Sequence, residues 1–253
     1  MPIGGEALRI EGLTKKFGGL AAVDNLTVAF ESGRLNAIIG PNGAGKTTLF
    51  NLICGELKAD RGRVVFNDED IAGRKPHQVV RRGISRTLQI KSVFPGLSVG
   101  ENIRIAVLAR EGIGSWIRST KSYPEIDVRI SEIIDTVGLT KYRNNLASTL
   151  SYGDIALLEL GLALANRPKL LLLDEPVCGM GPEETERSVG IIKQLSKDVD
   201  VILIEHDMEV VFSIADEIVV LAQGALLARG SAAAISANTD VQEAYLGAPD
   251  EDE

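Results

Sequence analysis

The pattern of hydrophobic and polar positions predicts strands towards both ends of the chain and helices in its middle. The segments ALRIEGLTKKF and NLTVAFESGRLNAIIG contain short β-like runs with a turn signal at 31–33, and GRVVFND indicates a further strand. Four short apolar runs, AIIG, LLLLD, VILIE and IVVLAQ, are typical of parallel strands that are covered on both faces. Helical patterns separate several of these strands, which predicts a βαβ architecture.

Between about residues 96 and 150 the pattern predicts helix without strand. Apolar residues recur there on one helical face, and Gly138 is a natural stop. The residues of this face are Ile126, Ile130, Ile133, Ile134 and Val137. An irregular insertion around Trp116, Arg118 and Lys121 comes before this helix. We interpret it either as a surface loop or as a contact with a membrane protein or lipid headgroups.

The segment GPNGAGKTT follows the strand AIIG and matches the phosphate-binding pattern G-x-x-x-x-G-K-[ST]. Its residues are Gly40, Pro41, Asn42, Gly43, Ala44, Gly45, Lys46, Thr47 and Thr48. Glycines let backbone N–H groups turn towards phosphate oxygens, and the helix beginning near Lys46 adds the positive end of its dipole. We expect Lys46 to reach the β and γ phosphates, Thr47 to bind Mg²⁺, and Thr48 to contact the α-phosphate side.

Two carboxylates, Asp174 and Glu175, end the apolar run LLLLD. Ligands of an open parallel sheet lie beyond the carboxyl ends of its strands, so Asp174 can face Mg²⁺ beside the phosphates. Glu175 is then placed to polarise an attacking water. His206 directly follows the run VILIE at the same sheet edge, where it could contact the γ-phosphate or the water, although a lone histidine is more often structural.

The polar turn LSYGD opens a strongly apolar helical pattern. Ser151 can cap this helix and Gly153 leaves its N–H available, which together form an anion site at a helix N-terminus. By itself such a turn is a common helix cap. A second phosphate-facing helix is useful only for a nucleotide that the chain's own phosphate loop does not hold, which suggests two chains facing each other head to tail.

Composition narrows the class of protein. The 253 residues carry a formal net charge of −8, which argues weakly against nucleic acid as a partner. The two cysteines, Cys54 and Cys178, lack metal-ligand spacing and predict a reduced, cytosolic chain, with Cys178 expected to be a buried bystander. The start of the chain does not resemble a signal peptide, and no segment reaches the roughly 20 apolar residues that span a bilayer.

The order of the phosphate loop, Gln89, LSYGD, LLLLDE and His206 resembles the ATP-binding subunit of ABC transporters, from about residue 6 to the tail. The resemblance implies a head-to-tail dimer that holds two ATP molecules, with Mg²⁺. It assigns Gly40 to Thr48 as Walker A, Asp174 as the Mg²⁺-side carboxylate, Glu175 as the catalytic glutamate and His206 as the switch histidine. Gln89 matches the Q-loop, which contributes to catalysis and to the metal site. Ser151 and Gly153 match the signature that meets the γ-phosphate across the dimer, and Phe17 matches the aromatic residue that stacks on adenine.

The fold implied by the resemblance is α/β. It is a P-loop NTPase core, mainly a parallel sheet with flanking helices, with an N-terminal antiparallel β subdomain and an α-helical signature subdomain. We expect one ABC ATPase domain over residues 1–253. Its expected parts are the antiparallel β part at about 6–35 and 62–68, the nucleotide-binding core at about 36–95 and 155–230, the helical subdomain at about 96–154, and the tail at 231–253.

Two departures from the family pattern matter. Tyr152 and Asp154 replace a small residue and an amide of the usual Leu-Ser-Gly-Gly-Gln signature. Asp154 brings negative charge near an incoming phosphate, so we predict weaker ATP-driven dimerisation than with Gln at this position. The loop after Glu175, PVCGMGPEE, lacks the frequent Ala-Leu-Asp, which leaves its contacts across the dimer open.

The ending VQEAYLG, the segment IEHDMEVVFSIADEIVVLAQGALLARG and GISRTLQ followed by LSVGENI resemble the ATPases of branched-chain amino acid importers. This implies partners in the form of membrane permease subunits, a second copy or another ABC ATPase, and indirectly a solute-binding protein. The implied location is cytoplasmic, peripheral on the inner face of the plasma membrane. Urea, short-amide or other small-acid importers remain alternatives, as does a soluble ABC-type regulator or nucleic-acid factor without a permease. A P-loop kinase or GTPase would leave LSYGD unexplained.

Overall fold

The computed structural model describes residues 5–87, 93–112 and 124–246. Ten strands lie within these ranges: β1 Glu6–Phe17, β2 Leu20–Glu31, β3 Leu35–Ile39, β4 Arg61–Phe66, β5 Glu69–Asp70, β6 Ile84–Arg86, β7 Leu170–Asp174, β8 Asp200–Ile204, β9 Glu217–Ala222 and β10 Ala225–Gly230. The helices are α1 Lys46–Ile53, α2 Pro76–Arg82, α3 Val99–Arg110, α4 Pro124–Thr136, α5 Tyr152–Ala165, α6 Pro182–Leu195, α7 Met208–Ile214, α8 Ala232–Ser236 and α9 Thr239–Leu246. Short 3₁₀ turns occupy Thr140–Tyr142 and Ala147–Thr149.

The smaller of two sheets is antiparallel and has the strand order β2-β1-β4-β5. Strands β1 and β2 form a long hairpin with several register shifts, which let the pair bend. Gly62 of β4 crosses β1 at close range, since a methyl group on it would lie 2.4 Å from the Gly12 carbonyl oxygen. This sheet brings the end of β1 beside the phosphate loop.

The larger sheet has the order β10-β9-β3-β8-β7-β6. Strand β3 pairs in parallel with both β8 and β9, β8 pairs in parallel with β7, and β10 closes the sheet in antiparallel pairing. The predicted parallel arrangement of the four apolar runs is therefore confirmed. Strand β6, which was not predicted, pairs with β7 through three residues and lacks an apolar run of its own.

Two hydrophobic clusters cover the two faces of the larger sheet, as its alternating side chains require. Leu171 and Leu173 of β7 belong to the cluster formed with the helices α3 to α7, whereas Leu170 and Leu172 belong to the cluster beneath the antiparallel sheet and α1. All five residues of β7, including Asp174, are buried. Burial on both faces leaves the strand ends as the accessible part of this sheet.

Helices α3 and α4 lie within the segment that was predicted to be helical, and α5 begins at its end. The residues predicted for the apolar face of α4 are all 6% exposed or less, and Gly138 follows the helix with a φ of 67°. Helix α5 packs closely against α3, because a methyl group on Gly161 would lie 2.8 Å from Ile103 Cδ1. These sheets and helices confirm the predicted α/β fold class with its antiparallel and helical additions.

In the described ranges, every helix is too short or too polar to cross a membrane.

Candidate functional site

The phosphate loop joins β3 to α1 and has the backbone of an anion cradle. Gly45 precedes α1 in the left-handed region, with a φ of 97°, and supplies no side chain to cap the helix. A methyl group on Gly45 would lie 2.2 Å from the Ala22 carbonyl oxygen, so this position accepts glycine alone without movement of the backbone. The helix N-terminus therefore stays open to an external anion.

Lys46 is the first residue of α1, and its ammonium group turns back over the loop. Lys46 Nζ donates to the Gly40 carbonyl oxygen at 2.6 Å and to the Pro41 carbonyl oxygen at 3.1 Å. Burial lowers the pKa of Lys46, while the nearby Glu175 and Asp174 carboxylates oppose this shift. The cation is thus held beside the position that phosphate oxygens would take.

An open depression of about 740 Å³ lies over the loop. Its lining includes Asn42 to Thr48, together with Phe17 and Leu20 from the β1–β2 hairpin and Glu175 from the opposite side. The Phe17 side chain is 48% exposed, and Lys15 Nζ lies 5.5 Å from the centre of its ring. Phe17 is therefore a surface aromatic beside the loop and not a core residue.

Asp174 and Glu175 lie at the carboxyl end of β7, as the sequence predicted. Glu175 donates its backbone N–H to the Ile204 carbonyl oxygen of β8 at 2.9 Å. Its φ of 50° is unusual for a residue with a side chain and costs about 1–3 kcal/mol. The fold therefore uses a strained backbone to turn the Glu175 side chain, which is 32% exposed, towards the depression.

Arg86 at the end of β6 pairs with Asp174, a contact that the sequence analysis missed. Arg86 Nη2 lies 2.5 Å from Asp174 Oδ2, and Arg86 Nη1 donates to Asn51 Oδ1 at 2.6 Å. The second Asp174 oxygen, Oδ1, is buried without a hydrogen-bond partner in the described part of the chain. Since Mg²⁺ takes oxygen ligands from one or two carboxylates and substrate phosphates, this oxygen fits a hydrated magnesium site.

His206 follows β8 and its side chain is 61% exposed. Its Nδ1 lies 3.9 Å from Glu175 Oε1 and 3.9 Å from Glu205 Oε2, so the histidine stands beside the candidate catalytic glutamate. Glu205 is almost fully buried and accepts the backbone N–H groups of Val177 and His206. Burial raises the pKa of Glu205. Glu205 thereby ties together the loops that carry Glu175 and His206.

Ser151 caps α5, as predicted: its Oγ accepts the Asp154 N–H at 3.1 Å. Asp154 is 6% exposed, and its Oδ1 lies 2.7 Å from Arg187 Nη1 of α6. The negative charge that the sequence places in the signature therefore has a cationic partner within the chain. Among the described residues that line the depression over the phosphate loop, Ser151 and Gly153 are absent. The chain does not bring its signature onto its own phosphate loop.

Two further predictions concern the burial of Cys178 and the roles of Gln89 and the insertion around Trp116. Cys178 was expected to be buried, but it is exposed, because it lies in the turn that follows β7 and not in the strand itself. Gln89 and the insertion residues Trp116, Arg118 and Lys121 lie outside the described residues. The sequence carried no periodic or motif signal for Arg86 or Glu205, since each acts through a contact between distant strands or loops.

Comparison with protein families gives two matches along the chain. The family model described as ABC transporter matches residues 23–178. A second model, described as branched-chain amino acid ATP-binding cassette transporter, matches residues 225–251. The first match spans the phosphate loop, the α5 turn and the Asp174–Glu175 pair.

Curated relatives extend the similarity to nearly the whole chain. The high-affinity branched-chain amino acid transport ATP-binding protein BraF of Pseudomonas aeruginosa is 38% identical over 248 residues, which cover 95% of this chain and 97% of BraF. The corresponding LivG protein of Escherichia coli K12 is 37% identical with the same coverage.

Solved structures agree with this similarity. The ADP conformation of MJ1267, an ATP-binding cassette of an ABC transporter, aligns with a TM-score of 0.87 at 31% identity over 96% of this chain and 100% of that chain. A dimeric cassette, MJ0796, bound to ADP and Pi, aligns with a TM-score of 0.73 over 89% of this chain and 98% of that chain; at 23% identity it shows the fold alone.

Proposed function

The chain belongs to the ATP-binding subunits of ABC transporters, in the branched-chain amino acid group, and from this premise we propose that it powers amino acid uptake through a separate permease. The family's activity is ATP hydrolysis coupled to transport. The proposal of amino acid uptake rests on the similarity to BraF and LivG over 95% of the chain, together with the C-terminal match at 225–251. Branched-chain amino acids are therefore the proposed cargo.

Nucleotide binding is assigned to the open depression over the phosphate loop. The N–H groups of the loop and the first turn of α1 would receive the phosphates, and Lys46 would exchange its two carbonyl acceptors for phosphate oxygens. Phe17 would stack on the adenine ring, because its exposed face borders the same depression. Thr48 would contact the α-phosphate side.

Magnesium is proposed at the Thr47 hydroxyl and the Asp174 carboxylate, with Gln89 as a further contributor. The buried oxygen Asp174 Oδ1, which lacks a partner among the described residues, supports this assignment. When bound, the ion would neutralise charge on the β and γ phosphates. Arg86 would keep the Asp174 carboxylate in place for it.

Hydrolysis is assigned to Glu175 and His206. The strained backbone at Glu175 directs its carboxylate into the depression, where it can orient and polarise an attacking water. His206, with Nδ1 3.9 Å from Glu175 Oε1, is placed to contact the γ-phosphate or that water. Lys46 would balance the negative charge that develops as the terminal phosphate leaves.

Two subunits are proposed to share each nucleotide. Ser151 and Gly153 lie at the start of α5, which is not part of the lining of their own depression, so they would serve the nucleotide of a second subunit, either a copy of this chain or another ABC ATPase. Closure of the two subunits around ATP would then change the conformation of the permease, with the ATPase subunits bound to it on the inner face of the membrane. A solute-binding protein would deliver the cargo on the other side.

The test uses the assembled transporter in vesicles. Glu175→Gln should retain ATP binding and lower ATP hydrolysis about a hundredfold or more, because the general-base group is lost. Glu186→Gln, an exposed change on α6, is the matched control and should hydrolyse ATP normally. ATP-dependent uptake of labelled leucine but not urea is expected. Full hydrolysis by Glu175→Gln would refute the catalytic assignment, and uptake of urea alone would refute the cargo.

A further inference from the structure

Helix α6 presents two side chains of opposite charge to the start of α5. Glu184 and Arg187 are three residues apart and therefore lie on one face of the helix. Arg187 Nη1 pairs with Asp154 Oδ1 at 2.7 Å, and Arg187 Nη2 donates to the Gly138 carbonyl oxygen at 2.6 Å. These contacts fix the first turn of α5 against α6.

The Glu184 carboxylate lies directly against the signature. A methyl group on Gly153 would be 2.8 Å from Glu184 Cδ and 2.9 Å from Glu184 Oε1, so the carboxylate fills the space over this glycine. The other oxygen, Oε2, accepts the Gly181 N–H at 3.4 Å. A larger residue at 153 would therefore displace this carboxylate of the same chain.

The signature donors interact with this carboxylate. Hydrogen bonding by the Ser151 hydroxyl is the main reason that the pKa of Glu184 lies below its usual value, and the Gly181 and Gly153 N–H groups lower it further. A carboxylate that lies over Gly153 at the start of a helix occupies the place where such helix starts bind phosphate.

The two anions compete for the same donors. The proposed function gives Ser151 and Gly153 to the γ-phosphate of the nucleotide held by the other subunit. A hydroxyl has one proton to donate, so Ser151 cannot serve both a carboxylate and a phosphate. Two anions at one helix start also repel each other.

We propose that Glu184 occupies the signature of the separate subunit and has to withdraw before the nucleotide of the second subunit can bind there. This inference rests on the proposed function, in which the signature acts across the dimer. Glu184 is then a positioning residue of the ATP cycle: ATP-driven pairing of subunits exchanges an internal anion for the γ-phosphate. The loop after Glu175 leads into α6, so the same helix connects the hydrolysis residue to the signature of its own chain.

The test compares Glu184→Gln with Glu183→Gln, both in the slowly hydrolysing Glu175→Gln chain. Glutamine keeps an acceptor for Ser151 and removes the charge, and Glu183 is an exposed neighbour that loses the same charge. Sedimentation velocity against ATP concentration measures dimer formation. Glu184→Gln should lower the ATP concentration for half-maximal dimerisation about fivefold or more, since one repulsive charge is gone. Glu183→Gln should leave it unchanged.

Two companion measurements separate this role from a structural one. Binding of a fluorescent ATP analogue to the dilute monomer should be the same in all three chains, because the phosphate loop is untouched. The thermal unfolding midpoint confirms that each variant is folded.

The outcomes are distinct. Equal dimerisation curves for Glu184→Gln and its parent, weaker dimerisation of Glu184→Gln, or an equal shift in Glu183→Gln would each overturn the role of Glu184 and leave the proposed function standing. Absence of ATP-dependent dimers in every chain, despite normal binding of the analogue, would overturn the shared nucleotide site and the role of Glu184 with it.

Discussion

The ion pair between Arg86 and Asp174 provides a direct test of how the site is held together. The Asp174 side chain is fully buried and that of Arg86 is 8% exposed, while their closest atoms lie 2.5 Å apart. Arg86→Met keeps most of the side-chain volume over the Phe50 ring and removes the charge. The variant leaves a buried carboxylate without its cation.

The burial of the Arg86–Asp174 pair sets the loss of stability expected for Arg86→Met. Removing one partner of a buried ion pair destabilises a protein by about 3–5 kcal/mol, whereas an exposed pair contributes about 0–1 kcal/mol. Arg63 and Glu11 form a suitable control, because their closest atoms are also 2.5 Å apart but the Arg63 side chain is 63% exposed. The two ion pairs therefore have the same closest distance and differ in their burial.

Urea unfolding without nucleotide, followed by circular dichroism, measures the free energy of unfolding of each variant. Arg86→Met should lose at least about 2 kcal/mol more than Arg63→Met. Adding Asp174→Asn to Arg86→Met should recover part of the loss, because the unpaired charge is then removed. Equal losses for the two arginine variants would refute the argument that burial of this pair, and not its length, determines its contribution.

Two further predictions concern the loop and the buried glutamate. Gly45→Ala should lower the free energy of unfolding by several kcal/mol, because its methyl group would lie 2.2 Å from the Ala22 carbonyl oxygen. The control Gly43→Ala, at a φ of 75° with open space around the new methyl group, should lower it by only about 1–2 kcal/mol. Urea unfolding that ranks the two variants in the reverse order would contradict the clash at Gly45. Burial raises the pKa of Glu205 in the folded state above its usual value, so the folded state binds the proton more tightly than the unfolded state. Wild-type stability should therefore fall as the pH rises above the pKa of the unfolded state. Glu205→Gln should lack this decline in urea unfolding measured from about pH 4.5 to 8, and parallel pH profiles for the two chains would exclude the raised pKa.

Features that depend on neighbours in sequence were predictable. The phosphate loop needs glycines at fixed spacing between a strand and a helix, and the apolar runs before Asp174 and His206 mark buried strands by themselves. The order of motifs also placed the chain in its family. Each of these patterns lies within a short segment, so a single sequence is sufficient to recognise it.

Features that depend on contacts between distant segments were not predictable. Arg86 reaches Asp174 across 88 positions of the chain, and β6, which carries it, is too short to give an apolar run. The prediction that Asp154 weakens dimerisation remains a prediction, but its pairing with Arg187 changes its physical basis. The charge is balanced within the chain, so any effect has to include the cost of disturbing that pair.

The burial of β3 and β7 along their whole length has a consequence for how such a subunit communicates. No other molecule can touch these strands from either side. A partner that responds to the nucleotide therefore has to contact the loops and helix starts where the strands end, or the helices that cover the sheet.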